Sequence, residues 1–293
     1  MWSDSIVETV ARRRAIVVLG AGSSLHSTPL AGSKHPPDWK AFLTDASKKL
    51  AKGPKLEASR MLKAGEYLSA CEIIKTHLGD DWAGCVNEAF GKQRLEPGEL
   101  HTQVYALDLP IVMTTNFDKV YQGAAAKLSS STVKVKMYSD KDLAVLARGD
   151  SHSRVLLKVH GSIDDIGSMI FTRSDYIRLR SEYPLFQMVM RALAITHTLL
   201  FVGCGLRDPD FVLMLEDFAS VSQGFAEHLC LIDSKQSVEL ERVYRQCFGL
   251  RCVRYRHDKH TLSCPRHWRR WSIYRTSDVR KWLRRPSGRG HRS

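Results

Sequence analysis

The chain has 293 residues, 43% of them hydrophobic, which predicts a globular protein of one large or two modest domains. No apolar run reaches the roughly 20 residues of a membrane-spanning helix, and an N-terminus with Asp4 and Glu8 is unlike a secretory signal, so we expect a cytoplasmic protein without a membrane partner. The net charge of +13 resides almost entirely in residues 251–293, so the rest of the surface does not predict a basic groove for nucleic acid.

The seven cysteines are scattered along the chain, and no two of them form a C-x-x-C pair. A structural zinc site or a disulfide framework is therefore not expected. The sequence also contains neither the G-x-S-x-G motif of serine hydrolases nor the H-E-x-x-H motif of zinc enzymes. We accordingly expect no bound metal.

Residues 15–24, AIVVLGAGSS, combine an apolar run with a glycine-rich end. Residues 16–19 are apolar on both faces of a strand, as expected in the middle of a parallel sheet. Gly20 and Gly22 permit a tight turn with positive φ and a close approach to a ligand, and the backbone N–H groups of that turn would form an anion cradle. Because Leu25 replaces the third glycine of the dinucleotide fingerprint, a plain tight turn is the alternative.

The next part of the chain predicts a loop and then a small helical insertion. Residues 25–40 have the Ser, Pro and Gly content of a loop, of the kind that often forms a lid. Residues 39–107 are mostly helical by periodicity. The clearest helix has apolar side chains at spacings of four, three and four: Tyr67, Cys71, Ile74 and Leu78.

From Pro110 the sequence alternates between short apolar strands and amphipathic helices. Parallel strands need helical crossovers, so this alternation predicts a doubly wound parallel sheet, a Rossmann-like α/β fold with the helical insertion added. Ligands of such sheets bind outside the carboxyl ends of the strands, where polar and glycine residues are concentrated here. The strands are predicted at 111–114, 133–137, 155–159, 199–202 and 229–232, with 251–255 as the candidate edge strand.

Five short motifs follow one another at these strand ends and in the loop before residue 40. They are Gly20-Ala21-Gly22-Ser23, Pro37-Asp38-Trp39, Thr115-Asn116-Phe117-Asp118, Val159-His160-Gly161 and Gly203-x-Gly205. Together they resemble the sirtuin-like NAD-binding family over about residues 14–262. The Thr-Thr-Asn-Phe-Asp form and Asp208-Pro209-Asp210-Phe211 look like the branch that acts as NAD-hydrolysing effectors in bacterial antiphage defence.

This resemblance implies a site for NAD, bound as the substrate. Gly20, Gly22 and Ser23 would hold the pyrophosphate, and Trp39 would cover the nicotinamide–ribose bond. Asp118 would accept a hydrogen bond from the nicotinamide amide, which a carboxylate does well because the bond is charge-assisted. The remaining NAD-binding candidates are Ala21, Asp38, Thr115, Gly203, Gly205 and Asp233.

Asn116 and His160 are the catalytic pair that the resemblance implies. Asn116 would bind the ribose hydroxyls and orient a water, and His160 would be the general base at a ribose hydroxyl or at that water. Each has a structural alternative, an Asx turn for Asn116 and a strand-end histidine bonded to backbone for His160. Asp208 is predicted to cap a helix rather than to act as a catalytic acid, and Asp233 either binds the adenosine ribose or starts the next helix.

Two departures from the family bear on the activity. Nothing between His160 and Gly203 supplies the four-cysteine zinc module of protein-deacylating sirtuins, and Lys40 replaces an arginine of the deacylase loop. These departures favour hydrolysis of NAD to nicotinamide and ADP-ribose over transfer to an acetyl-lysine. An NAD-dependent protein deacylase and a non-catalytic NAD or ADP-ribose sensor are the alternatives.

Residues 263–293 are predicted to be a poorly packed basic tail outside the domain of residues 1–262. The tail is the one place where contact with nucleic acid is possible. A docking segment and non-native sequence are the alternatives for this tail. Because uncontrolled NAD hydrolysis would harm the host and no sensor domain is recognisable, we expect control between chains, through a homo-oligomer or a separate regulatory partner. The insertion is the candidate surface for this control, unless it simply caps the core.

Overall fold

A computed structural model describes residues 4–129, 133–149, 153–222, 227–255, 257–258 and 261–262. The predicted basic tail lies outside these residues. The strands are β1 (Ala15–Leu19), β2 (Thr28–Pro29), β3 (Leu95–Glu96), β4 (Ile111–Thr114), β5 (Val133–Met137), β6 (Arg154–Lys158), β7 (Thr198–Val202), β8 (His228–Asp233), β9 (Leu250–Tyr255), β10 (His257–Asp258) and β11 (Thr261–Leu262).

Thirteen α-helices are present in the described ranges. They are α1 (Asp4–Ala11), α2 (Ala21–Ser24), α3 (Trp39–Ser47), α4 (Lys52–Ala64), α5 (Tyr67–Leu78), α6 (Asp81–Val86), α7 (Glu99–Ala106), α8 (Val120–Ser129), α9 (Ala144–Arg148), α10 (Arg173–Glu182), α11 (Pro184–Thr196), α12 (Pro209–Ser222) and α13 (Val238–Phe248). None of the described helices has the length and apolar content that a membrane crossing requires.

Seven strands form one sheet in the order β5-β6-β4-β1-β7-β8-β9, and every neighbouring pair is parallel. This topology confirms the predicted doubly wound, Rossmann-like sheet, and the candidate edge strand is present as β9. The central strand β1 is buried along its whole length, because its side chains are apolar on both faces. Within this sheet, β4, β5 and β6 lie on one side of β1, and β7, β8 and β9 lie on the other. The topological switch point is therefore between β1 and β7.

Helices cover both faces of the sheet and form two separate cores. On one face, residues of α10, α11 and α12 pack on Val18, Met113, Leu157 and Phe201. On the other face, residues of α1, α7 and α8 pack on strand residues such as Val17. Because the strands are parallel, all their carboxyl ends meet at one edge between these two layers. The polar motifs of the sequence therefore converge at that edge.

Helices α3–α6 pack around a third core that belongs to the insertion. Phe42, Leu43, Ile74 and Trp82 are buried in it, and Phe171, from the segment after β6, completes it. Helix α7 packs on the sheet instead of joining this group. The loop predicted at 25–40 is not wholly irregular, because β2 within it pairs antiparallel with β3, so the loop is fastened to the end of the insertion.

Candidate active site

The glycine-rich end of β1 lies against the glycine loop that follows β7, at the switch point of the sheet. The N–H of Gly22 donates to the carbonyl of Gly203 at 2.9 Å. A Cβ on Gly20 would lie 2.6 Å from that same carbonyl oxygen. Gly203 has φ of +67°, and a Cβ on it would overlap the backbone N of Ser23. These three glycines are therefore needed because two backbone segments touch.

The conformation of this segment differs from the prediction in two respects. Gly20 has φ of −105°, and Gly22 is absent from the positive-φ residues, so neither glycine uses the positive φ that the sequence permits at these positions. Residues Ala21–Ser24 form one helical turn, α2, with Ala21 exposed. The N–H groups of Gly22 and Ser23 already donate to Gly203 and Gly20, so neither is free to cradle an anion in this conformation.

Asn116 connects the end of β4 to this helical turn. Its Nδ2 donates to the carbonyl of Gly20 at 2.9 Å, to Ser24 Oγ at 3.0 Å and to Ser23 Oγ at 3.2 Å. The backbone of Thr115 continues the strand pairing, with its N–H donating to Leu19 at 3.0 Å. The Asn116 side chain thus bonds to a distant segment rather than to its own turn, which contradicts the Asx-turn alternative. Within the described ranges no group donates to its amide oxygen.

Asp118 fastens the same helical turn to helix α8. Its Oδ2 accepts a hydrogen bond from Ser24 Oγ at 2.6 Å, and its Oδ1 accepts one from the N–H of Val120 at the start of α8. Asn116 and Asp118 together line a small cleft with Ser23, Ser24 and His101. This part of the site is therefore a network of amide, hydroxyl and carboxylate groups around one helical turn.

His160 follows β6, and its side chain pairs with the carboxylate of Asp208. Asp208 lies in the segment after β7, on the other side of the switch point. The Nε2 of His160 lies 2.9 Å from Asp208 Oδ2, and the hydroxyl of Tyr176 donates to the same oxygen at 2.5 Å. The rings of His160 and Tyr176 meet edge to face, with centroids 5.6 Å apart. The side chain of His160 is one-tenth exposed. The alternative in which this histidine bonds only to backbone is therefore wrong.

Asp208 has two functions in the structure. Its Oδ1 accepts a hydrogen bond from the N–H of Phe211 at 3.0 Å, so the predicted cap of α12 is confirmed. Burial alone would raise the pKa of Asp208, but the charge and hydrogen bond of His160, the hydroxyl of Tyr176 and the N–H of Phe211 outweigh it and hold the pKa below its usual value. The sequence did not predict the contact of Asp208 with His160, because a helix-cap motif indicates a partner for only one of the two carboxylate oxygens.

Comparison with known proteins relates part of the chain to one family. Residues 110–253 match the SIR2-like domain. The matched range includes Asn116, His160 and Asp208, whereas the glycine turn after β1 precedes it.

Two characterised relatives have similar sequences. The chain is 25% identical over 231 residues to the NAD(+) hydrolase ThsA of Enterococcus faecium, covering 77% of this chain and 44% of that protein. It is 24% identical over 213 residues to the defense-associated sirtuin 2 of Bacillus subtilis, covering 72% of this chain and 20% of that protein. The chain thus spans less than half the length of the curated relatives that it matches. These likenesses agree with the resemblance to the antiphage-defence branch that the motifs carry.

The strand register brings the backbone positions of the two predicted catalytic residues next to each other. Thr114 of β4 pairs with Lys158 of β6, so Asn116 and His160 each lie two residues beyond the paired ends of neighbouring strands. Their side chains bond to groups from different strands, Asn116 to the turn after β1 and His160 to the segment after β7.

A cavity of about 350 Å³ adjoins His160 and Asp208 on the α10–α12 face. Its walls include the apolar side chains of Phe186, Met190 and Met214. The cavity also has charged groups at its edge, where Arg180 pairs with Asp210 at 2.6 Å. His160 therefore borders a space large enough for a small ligand group.

Trp39 and Asp38 have structural partners in the insertion. Asp38 caps helix α3, with its Oδ1 accepting the N–H of Ala41 at 2.7 Å. Trp39 stacks on Phe171, with ring centroids 5.5 Å apart and an interplanar angle of 11°. The indole thus packs within the aromatic cluster of the insertion, where the resemblance implied a cover over the nicotinamide–ribose bond.

Two further candidates have no contact with this network. A Cβ on Gly205 would meet no atom within 4 Å, so this glycine faces open space. Asp233 ends β8, and its Oδ1 accepts the N–H of Lys235 at 2.8 Å. Ser237 rather than Asp233 caps α13. Among the described residues, no group of three or more His, Cys, Asp or Glu side chains is placed to hold a metal ion.

Proposed function

We propose that this SIR2-like domain hydrolyses the nicotinamide–ribose bond of NAD and releases nicotinamide and ADP-ribose. The observation that carries the proposal is the position of Asn116 and His160 beyond two neighbouring strand ends, where each side chain donates a hydrogen bond to another segment. The names of the two relatives, an NAD(+) hydrolase and a defence-associated sirtuin, support it. We further propose that the protein depletes NAD in bacterial antiphage defence, acting in the cytoplasm.

The chemistry assigns one task to each residue. The amide oxygen of Asn116 would accept a hydrogen bond from a ribose hydroxyl or from the attacking water. His160 would accept the proton that is lost as the water oxygen forms its bond to the ribose carbon. The electron pair of the broken carbon–nitrogen bond leaves with nicotinamide, whose positive charge it neutralises. No metal is required in this scheme.

The test is to incubate the purified chain with NAD and to follow nicotinamide and ADP-ribose by chromatography. The same assay with NADP would measure the preference between the two dinucleotides. His160→Ala should lower the rate by about 10²- to 10⁴-fold, the usual contribution of a general base, while the circular dichroism spectrum stays the same. His77→Ala, which changes an exposed histidine on the insertion, is the matched control.

The outcome also separates the two alternatives. Nicotinamide release that depends on an added acetyl-lysine peptide would favour a protein deacylase. Thermal stabilisation by NAD or ADP-ribose without nicotinamide release would favour a sensor. Absence of both turnover and binding would contradict all three functions.

Control by a homo-oligomer or by a separate regulatory partner stays a prediction. Light scattering over a concentration series, measured beside NAD turnover, tests self-assembly. If the chain remains a monomer with full activity at every concentration, the control by self-assembly is contradicted. A monomer whose turnover rises when a cell extract is added would favour a partner.

A further inference from the structure

The carboxylate of Asp208 is held by four hydrogen bonds, two on each oxygen. Oδ1 accepts the N–H groups of Asp210 and Phe211 at 3.1 and 3.0 Å. Oδ2 lies 2.9 Å from His160 Nε2 and accepts the hydroxyl of Tyr176 at 2.5 Å. A carboxylate with this set of donors has no freedom to rotate away from His160.

These contacts determine which nitrogen of His160 carries a proton. Burial raises the pKa of Asp208, but the charge of a protonated His160 and the hydrogen bonds from His160, Tyr176 and Phe211 outweigh burial and hold the pKa below its usual value. When the imidazole is neutral, the hydroxyl of Tyr176 and the N–H groups of Asp210 and Phe211 still stabilise the ionised carboxylate. An ionised carboxylate can only accept, so His160 must donate from Nε2. In the neutral imidazole, Nδ1 then carries the lone pair. In the described part of the chain, no group forms a hydrogen bond with this Nδ1.

The loop after β7 has the backbone conformation that delivers Asp208 to this position. Gly203 and Leu206 have φ of +67° and +47°. A positive φ is unfavourable for leucine, and such strain persists where surrounding contacts hold it. Tyr176, from α10, then fixes the carboxylate from a third element. The pairing of His160 with Asp208 is thus built from three separate segments of the fold.

We propose that Asp208, anchored by Tyr176, is a positioning residue that holds His160 as the Nε2–H tautomer, so that Nδ1 is the atom that accepts the proton during catalysis. This inference rests on the proposed NAD hydrolysis. The proton lost by the attacking water moves to Nδ1, and the resulting imidazolium still donates from Nε2 to the ionised Asp208. After nicotinamide has left with its electron pair, Nδ1 returns the proton to solvent.

The decisive experiment measures the tautomer directly. The protein is labelled with ¹⁵N-histidine, and long-range proton–nitrogen correlation spectra are recorded above the pH at which the imidazole is protonated. The signals that disappear in His160→Gln belong to His160. In the wild-type protein we expect Nε2 to be protonated and Nδ1 to be unprotonated. A wild-type Nδ1–H tautomer would overturn the proposal.

Asp208→Asn tests the carboxylate while it preserves the shape of the side chain. The amide oxygen can still cap α12, but the amide NH₂ then faces His160, so the ring should change to the Nδ1–H tautomer. We expect kcat to fall by about 10²- to 10⁴-fold, with KM within about twofold, because a wrong tautomer removes the base and leaves binding intact. An unchanged tautomer together with an unchanged kcat would show that Asp208 only caps the helix.

Two further variants complete the design. Tyr176→Phe should keep the wild-type tautomer and lower kcat by about tenfold, since it loosens the carboxylate without removing it. Asp217→Asn changes an exposed carboxylate on the same helix α12, which pairs with Arg191 at 3.2 Å, and should alter neither tautomer nor kcat. If Asp208→Asn does not fold, the wild-type tautomer and Tyr176→Phe decide the question. The spectra do not require turnover. A chain that is inactive on NAD would therefore contradict the proposed function, whereas the spectra alone would decide the tautomer of His160.

Discussion

The ammonium group of Lys158 donates a hydrogen bond of 2.9 Å to the backbone carbonyl of Asp118. It also donates to the carbonyl of Phe117 and to Ser162 Oγ, at 3.1 and 3.0 Å. Lys158 is 1% exposed at the end of β6, so these bonds fasten the segment that contains Asn116 to the segment that contains His160. Burial lowers the pKa of Lys158, and the charges of Asp118 and Asp164 partly oppose that effect.

We predict that Lys158→Met destabilises the protein by about 2 kcal/mol or more, because two partly buried carbonyls and one buried hydroxyl lose their donor. NAD turnover should fall as well, since the two catalytic segments are no longer fastened together. Urea unfolding at neutral pH gives the free energy. Lys48→Met, which changes an exposed lysine paired with Asp45, should have little effect. Equal stability of the two variants would refute the fastening role of Lys158.

A second lysine connects the insertion to the body of the domain. Lys75 of α5 donates to both oxygens of Asp175 of α10, each at 3.0 Å. Burial would raise the pKa of Asp175, but the hydrogen bond and charge of Lys75, with the N–H groups of Phe171 and Thr172, outweigh it and hold the pKa below its usual value. The insertion is thus attached to α10 by an ion pair that is partly open to solvent.

The free energy of unfolding should depend on pH through this ion pair between Lys75 and Asp175. Because the pKa of Asp175 is depressed in the folded state, its contribution is fully present above the unfolded value near 3.8 and is lost as the pH falls through the lower folded value. In Lys75→Met the folded-state pKa of Asp175 should rise towards its unfolded value, so less stability is lost on acidification and the free energies of unfolding of the two proteins converge below about pH 3.8. At pH 7 the stability of the variant should be lower by about 1–2 kcal/mol. Urea unfolding between pH 3 and pH 7 measures both effects, with the exposed Lys52→Met as control. Coincident pH profiles for the wild type and Lys75→Met would contradict the prediction.

Much of the sheet could be predicted from local pattern alone. A run such as residues 15–19 is apolar on both faces, and only a buried central strand accommodates that pattern. The cap at Asp208 was also local, because a carboxylate followed by proline starts a helix within a few residues. Both predictions needed no information from distant parts of the chain.

The remaining features of the site depend on long-range contacts. Asp208 reaches His160 from a loop in which Gly203 and Leu206 adopt positive φ, a conformation that no local preference of leucine indicates. Likewise Trp39 stacks on Phe171, a residue 132 positions later in the chain, so its structural role is not visible in the Pro-Asp-Trp motif. The sequence therefore predicted where the strands end, but it did not predict the long-range side-chain contacts that build the site.

The two glycines after β7 allow a matched test of the backbone contact at the switch point. Gly203 has φ of +67°, and its missing Cβ would overlap the backbone N of Ser23, whereas a Cβ on Gly205 would meet nothing within 4 Å. Gly203→Ala should therefore cost about 2 kcal/mol or more, from the unfavourable φ and from overpacking against the turn that Asn116 holds. Gly205→Ala should change stability by about 0.5 kcal/mol or less. Thermal and urea unfolding of both variants measure the difference in stability. NAD turnover should fall only in Gly203→Ala, because displacement of α2 also moves the hydrogen-bonding groups around Asn116. Equal stability and equal turnover in the two variants would mean that the glycine contact neither supports the fold nor shapes the site.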